Sequence, residues 1–87
     1  MRIITPAQAT VKLKGFIERV DRIKADSYKR KASKTYDKKT ILWEMSRVGL
    51  WASIAKFSKN SDNAQNVIDR VKNAHLFVSN MIFDGEL

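Results

Sequence analysis

Apolar positions recur every three to four residues along most of the chain and nowhere alternate in twos, a period that belongs to helices and not to strands. The first such run opens at Thr5-Pro6-Ala7-Gln8. There Thr5 can cap, the proline suits the first helical position, and Gln8 can reach back to close a capping box. Leu13, Phe16, Ile17, Val20 and Ile23 then form one apolar stripe, predicting a helix over residues 6–25, or onward through Tyr28 and Ala32. On its outer face Lys14–Glu18, Glu18–Arg22 and Arg22–Asp26 stand four apart, spaced for ion pairs within the helix, and Gly15 falls on the solvent side.

The second run, residues 40–58, is the most apolar. Ile41, Met45, Val48, Ala52 and Ala55 make one stripe; Trp43, Leu50, Ile54 and Phe57 make another, with Trp51 beside it. A helix apolar on two sides needs two neighbours, so this one is expected at the centre, with Trp43 and Trp51 as core anchors. If only one stripe is covered, the Trp43/Leu50/Ile54/Phe57 stripe becomes a dimer or partner surface. Ser46, Gly49 and Ser53 form a sector of small side chains, and Glu44 is spaced to pair with Arg47.

A turn over Ser58-Lys59-Asn60-Ser61-Asp62-Asn63 precedes the third run. Asp62 with Gln65 repeats the capping-box pattern, and Ala64, Val67, Ile68, Val71, Ala74, Val78 and Met81 hold helical spacing over 62–83 before Gly85 stops the helix. The expectation is an all-α fold: a compact three-helix bundle in one domain spanning 1–87, with a basic connection at 26–39. That connection has no glycine or proline and can supply a fourth, short helix.

Charge changes the picture. Of 17 Lys/Arg and 9 Asp/Glu, the first forty residues hold twelve cations and four anions, so the whole net charge of +8 lies there, and residues 41–87 are balanced. The densest stretch runs from Tyr28 to Lys39 and contains Lys29, Arg30, Lys31, Lys34, Lys38 and Lys39, interleaved with Tyr28 and Tyr36. Like charges this close repel, so the cluster points to an anionic partner, nucleic acid first. Lysines neutralise phosphates, and the two tyrosines can stack on unpaired bases. With a helix starting at residue 40, Lys38, Lys39 and the Thr40 hydroxyl would meet a phosphate at its N-terminus, beside free backbone N–H groups. The opposing reading is a solvated basic loop that keeps a small protein soluble.

Little else carries chemistry. Without cysteine there are no disulfides and no thiolate metal ligands, and the single histidine, His75, falls on an apolar side and is expected to bond to backbone. There is no glycine-rich phosphate loop and no nucleophile–base set, so neither catalysis nor a cofactor nor a metal is expected. The turn before the third helix invites a helix-turn-helix reading, with Gln65, Asn66, Asp69, Arg70, Lys72 and Asn73 facing outward. The second helix is too long for that motif, and the turn lacks its glycine. No apolar run approaches the roughly 20 residues of a membrane span, Met1–Pro6 has no leader-like core, and the basic stretch has too few apolar members to insert. A membrane partner is therefore not expected, and a cytoplasmic location is.

Two functions compete. One is a small, largely sequence-independent nucleic-acid-binding protein that works through residues 28–39. The alternative is a non-enzymatic protein-binding regulator or inhibitor whose same basic face meets an acidic partner surface. By size and class it would be comparable to virus-encoded accessory factors acting on host defence or nucleic-acid-processing enzymes.

Overall fold

The computed structural model describes residues 4–32, 34–59 and 61–87 and contains, among these, four helices and no strand: α1 (Pro6–Tyr28), α2 (Thr35–Met45), α3 (Val48–Ala55) and α4 (Ser61–Phe83). The all-α expectation holds, with the helices divided differently.

α1 forms where its signals lie. The Thr5 hydroxyl accepts from the Gln8 backbone N–H at 3.1 Å, and the Gln8 side chain accepts from the Thr5 N–H at 2.9 Å, with Pro6 at the first position. Its apolar stripe, widened by Ala9 and Thr10, is buried along its whole length. Thr10 is accommodated because its hydroxyl donates to the Pro6 carbonyl at 2.9 Å. At the far end the Lys31 N–H reaches the Asp26 carbonyl at 2.8 Å and the Arg30 N–H reaches Ser27 at 3.1 Å, with Arg30 at φ 55°. This is a Schellman cap with arginine in the left-handed position that glycine usually takes.

The single helix expected over 40–58 is two. It starts earlier, at Thr35, and breaks after Met45. The Ser46 hydroxyl donates to the Trp43 carbonyl at 2.6 Å, and the Arg47 N–H donates to Glu44 at 2.8 Å, so the last turn tightens and the ladder ends. α3 restarts at Val48, and its Trp51 N–H returns to the Arg47 carbonyl at 3.0 Å.

Breaking this segment moves the centre of the fold. α1, not the second segment, is the hub, packing most extensively on α3 and α4 and also on α2. Phe16, Leu13, Ile23 and Val20 of α1 meet Ile41, Trp51, Ala55 and Val78 in one core. The expected second stripe is mostly outside: Trp43 is 53% exposed, Leu50 and Phe57 more so, and only Ile54 packs against the core.

α4 begins at Ser61, so Asp62 lies in its first turn and does not cap it; the preceding Asn60 lies outside the described residues. Gly85, at φ 75°, ends the helix as expected, with Glu86 N–H to Met81 at 2.9 Å and Gly85 N–H to Ile82 at 3.1 Å. No helix among the described residues is long and apolar enough to cross a membrane.

Candidate nucleic-acid interface

α2 crosses α1 through two ion pairs. Arg19 donates from Nε and Nη2 to both oxygens of Glu44, a bidentate pair across 25 residues of sequence, with Glu44 almost fully buried. Arg22 Nη2 donates to Asp37 Oδ1 at 3.2 Å, and Asp37 too is buried. Among the described residues these are the two ion pairs, and neither was expected. The predicted Glu44–Arg47 pair does not form because Glu44 faces inward to Arg19. Of the i,i+4 ladder expected on α1, Arg22 reaches across to Asp37 of α2 and pairs with neither Glu18 nor Asp26, and among the described residues the Lys14–Glu18 pair does not form either.

Gly15 is half-buried rather than facing open water. A Cβ there would sit 3.1 Å from Arg19 Nη2, so the glycine makes room for the arginine to lie along α1 toward Glu44. The hydrogen bonds to Glu44 raise the Arg19 pKa above its ordinary value; the Glu44 charge adds to them, with smaller contributions from Tyr36 and Asp37, against a desolvation effect of opposite sign.

The consequence for charge is direct. The carboxylates of α2 are Asp37 and Glu44, and both are turned inward and neutralised by α1. The exposed surface from residue 29 to residue 47 therefore carries cations, and Lys29, Arg30, Lys31, Lys34 and Lys39 are all exposed.

The sequence-predicted residues fall into three places. Tyr28 (88% exposed), Lys29, Arg30 and Lys31 project from the C-terminal end of α1, where the helix dipole favours cations. Lys34 borders a shallow depression with Arg22, Ala25, Asp26 and Asp37, so this lysine has acids near it. Lys38 is half-buried and turns the other way, sharing a depression with Lys31, Met81 and Glu86. The expected phosphate site at Lys38, Lys39 and Thr40 is not assembled. α2 starts five residues earlier, the Lys38 N–H already bonds to the Lys34 carbonyl at 3.2 Å, and Thr40 is half-buried within the helix. Ser33 of the basic stretch lies outside the described residues.

Trp43, Trp51 and Arg47, which the sequence pattern placed in the core or in an ion pair, gather with Lys12 at the α1–α2–α3 junction. Trp43 and Trp51 meet with ring centroids 5.9 Å apart, tilted by 59°. The Arg47 guanidinium lies 4.9 Å from the Trp43 ring, and Lys12 Nζ lies 5.6 Å from the Trp51 ring. The i,i+7 spacing of Tyr36 and Trp43 with Arg47 four residues on was the available signal, hidden by reading Trp43 as core.

Two remaining features lie elsewhere. An open, largely apolar groove between α3 and α4 is lined by Gly49, Ala52, Val71, Lys72, His75 and Leu76 among others. His75 Nδ1 lies 3.5 Å from the Ser79 hydroxyl, a side-chain contact at the limit of hydrogen bonding where a backbone partner was expected. Among the described residues no three metal-ligating side chains gather at one point.

No protein-family model, curated protein or solved structure matches this chain. Its function has to be argued from its own geometry.

Proposed function

We propose that this protein binds nucleic acid, largely independently of base sequence, through the exposed cations of residues 29–39 and the adjoining face of α2. One observation carries the reading. Both α2 carboxylates are buried against α1 arginines, so the surface that holds most of the chain's charge excess is left without exposed acids of its own on α2. Such a surface attracts phosphates and releases their counterions. Exposed Tyr28 and Tyr36 beside it supply faces for bases.

The test is fluorescence anisotropy of labelled single-stranded DNA, duplex DNA and RNA across a salt series. Micromolar or tighter binding is expected, with a log–log salt slope of roughly −3 to −6 from several phosphate contacts. Reversing charge at Lys29, Arg30 and Lys31 should weaken binding to all three ligands and flatten that slope. Affinity unchanged by the triple reversal would end this reading.

A second reading, the protein-binding regulator, draws support from a different observation. Leu50, Phe57 and Leu76 are exposed, and the α3–α4 groove is apolar, more hydrophobic surface than phosphate binding needs. One stoichiometric protein partner retained after nuclease treatment, with no polynucleotide affinity, would favour it.

A further inference from the structure

On α2, residues 37, 41 and 44 point into the core. Tyr36, Thr40 and Trp43 follow one another along the neighbouring edge at helical spacing, with Lys39 beside them on the outer face and Arg47 in the turn just after the helix. Tyr36 is 74% exposed and Trp43 about half exposed, the latter braced from behind by the buried Trp51. Lys39 stands between the two rings along the helix, Arg47 lies on the Trp43 ring, and Lys12 of α1 lies over Trp51. The two acids of α2, Asp37 and Glu44, are held by Arg22 and Arg19 of α1. A large indole left half in water, with cations on both sides, presents a π-face that a planar, anionic ligand can cover.

We infer that the Tyr36–Lys39–Trp43 edge of α2, with Arg47 in the turn that follows it, is a track for single-stranded nucleic acid, with the two rings as stacking platforms and Lys39, Arg47 and Lys12 as phosphate contacts. The inference rests on the nucleic-acid reading above and narrows its ligand. Seven residues of helix set the platforms about 10 Å apart along the axis, about three times the roughly 3.4 Å step between stacked bases in a duplex strand. Adjacent bases of a duplex therefore cannot occupy both rings, and their faces are already covered by their neighbours. An extended strand can lay one base on Tyr36 and another on Trp43, with its backbone passing Lys39. A base arriving on the indole displaces Arg47 from the ring onto the adjoining phosphate, so the resident cation is exchanged and not lost.

The experiment compares an unstructured oligothymidylate with a hairpin duplex of equal charge, using wild type, Tyr36→Leu, Trp43→Leu and Trp43→Phe. Both rings are largely exposed, and cooperative thermal melts with transitions well above the binding temperature confirm that the variants fold. Each leucine variant should lose about ten-fold in single-strand affinity, the lower part of the range for one base–aromatic stack, with duplex affinity and salt slope unchanged. Trp43→Phe should retain most of the affinity. Tryptophan fluorescence quenching by the oligothymidylate should vanish in Trp43→Leu. Single-strand affinity unchanged in the leucine variants, or an equal loss on duplex, would overturn the track while leaving the phosphate-binding reading standing. Absence of wild-type binding to either ligand would overturn that underlying reading itself.

Discussion

Arg19 and Glu44 form a two-pronged pair between the middle of α1 and the last turn of α2, with the Glu44 side chain buried and the Arg19 side chain a quarter exposed. That asymmetry decides what each deletion costs. Arg19→Leu strands a buried carboxylate and should cost about 3–5 kcal/mol. Glu44→Leu should cost less, because the arginine can turn its head to water. Chemical denaturation of the two single variants and the double checks the order, and the double should be milder than Arg19→Leu alone. Because pairing raises the Arg19 pKa, the arginine's share of this contribution is full at neutral pH and is lost as strongly alkaline pH discharges the guanidinium.

Gly15 should behave differently with and without that pair. Glycine to alanine inside a helix ordinarily gains about 1 kcal/mol. Here the new Cβ would press on Arg19 Nη2 at 3.1 Å, and the guanidinium is anchored by Glu44. Gly15→Ala should therefore gain little in the wild type and close to the full amount in an Arg19→Leu background. A double-mutant cycle measured by urea denaturation reads the difference.

Arg30 separates stability from binding. A non-glycine residue at φ 55° costs roughly 1–2 kcal/mol, partly offset by the lower unfolded-state freedom of arginine. Arg30→Gly should raise stability by about 0.5–1 kcal/mol, whereas Arg30→Ala should not. Both should lower polynucleotide affinity alike and shift the salt slope by about one unit. Thermal melts paired with anisotropy separate the two effects.

The tryptophans should diverge. Trp51 is 4% exposed inside the α1–α3 contact, and its replacement by alanine should cost about 3–5 kcal/mol. Trp43→Ala should cost about 1 kcal/mol, mainly its contact with Trp51. Similar losses at the two positions, measured by denaturation, would show that Trp43 supports the fold as Trp51 does.

Much of the fold could be read from residues that act locally. Thr5, Pro6 and Gln8 specify the start of α1 because a cap is made by atoms three residues apart, and Gly85 ends α4 for the same kind of reason. The buried stripes of α1 and α4 follow from the helical period. The break at Ser46–Arg47 carries neither glycine nor proline, and its local signals, a serine that bonds back to Trp43 with Val48 and Gly49 after it, are too weak to place a break by themselves. Ion-pair spacing misled for a related reason. It counts neighbours on one helix, whereas Arg19 and Arg22 found carboxylates on another.

The sequence by itself determined that the chain is helical, where its first helix begins and its last one stops, and that its charge excess lies in the first forty residues. Those properties depend on contacts within a turn or two and on simple counting. Tertiary structure alone decided that α1 is the hub, that Asp37 and Glu44 are withdrawn from the basic surface, and that Trp51 is core while Trp43 is half outside. Each of these depends on which helix faces lie together. That arrangement follows from the break between α2 and α3, which turns one continuous apolar helix into two short ones that cannot bury both stripes.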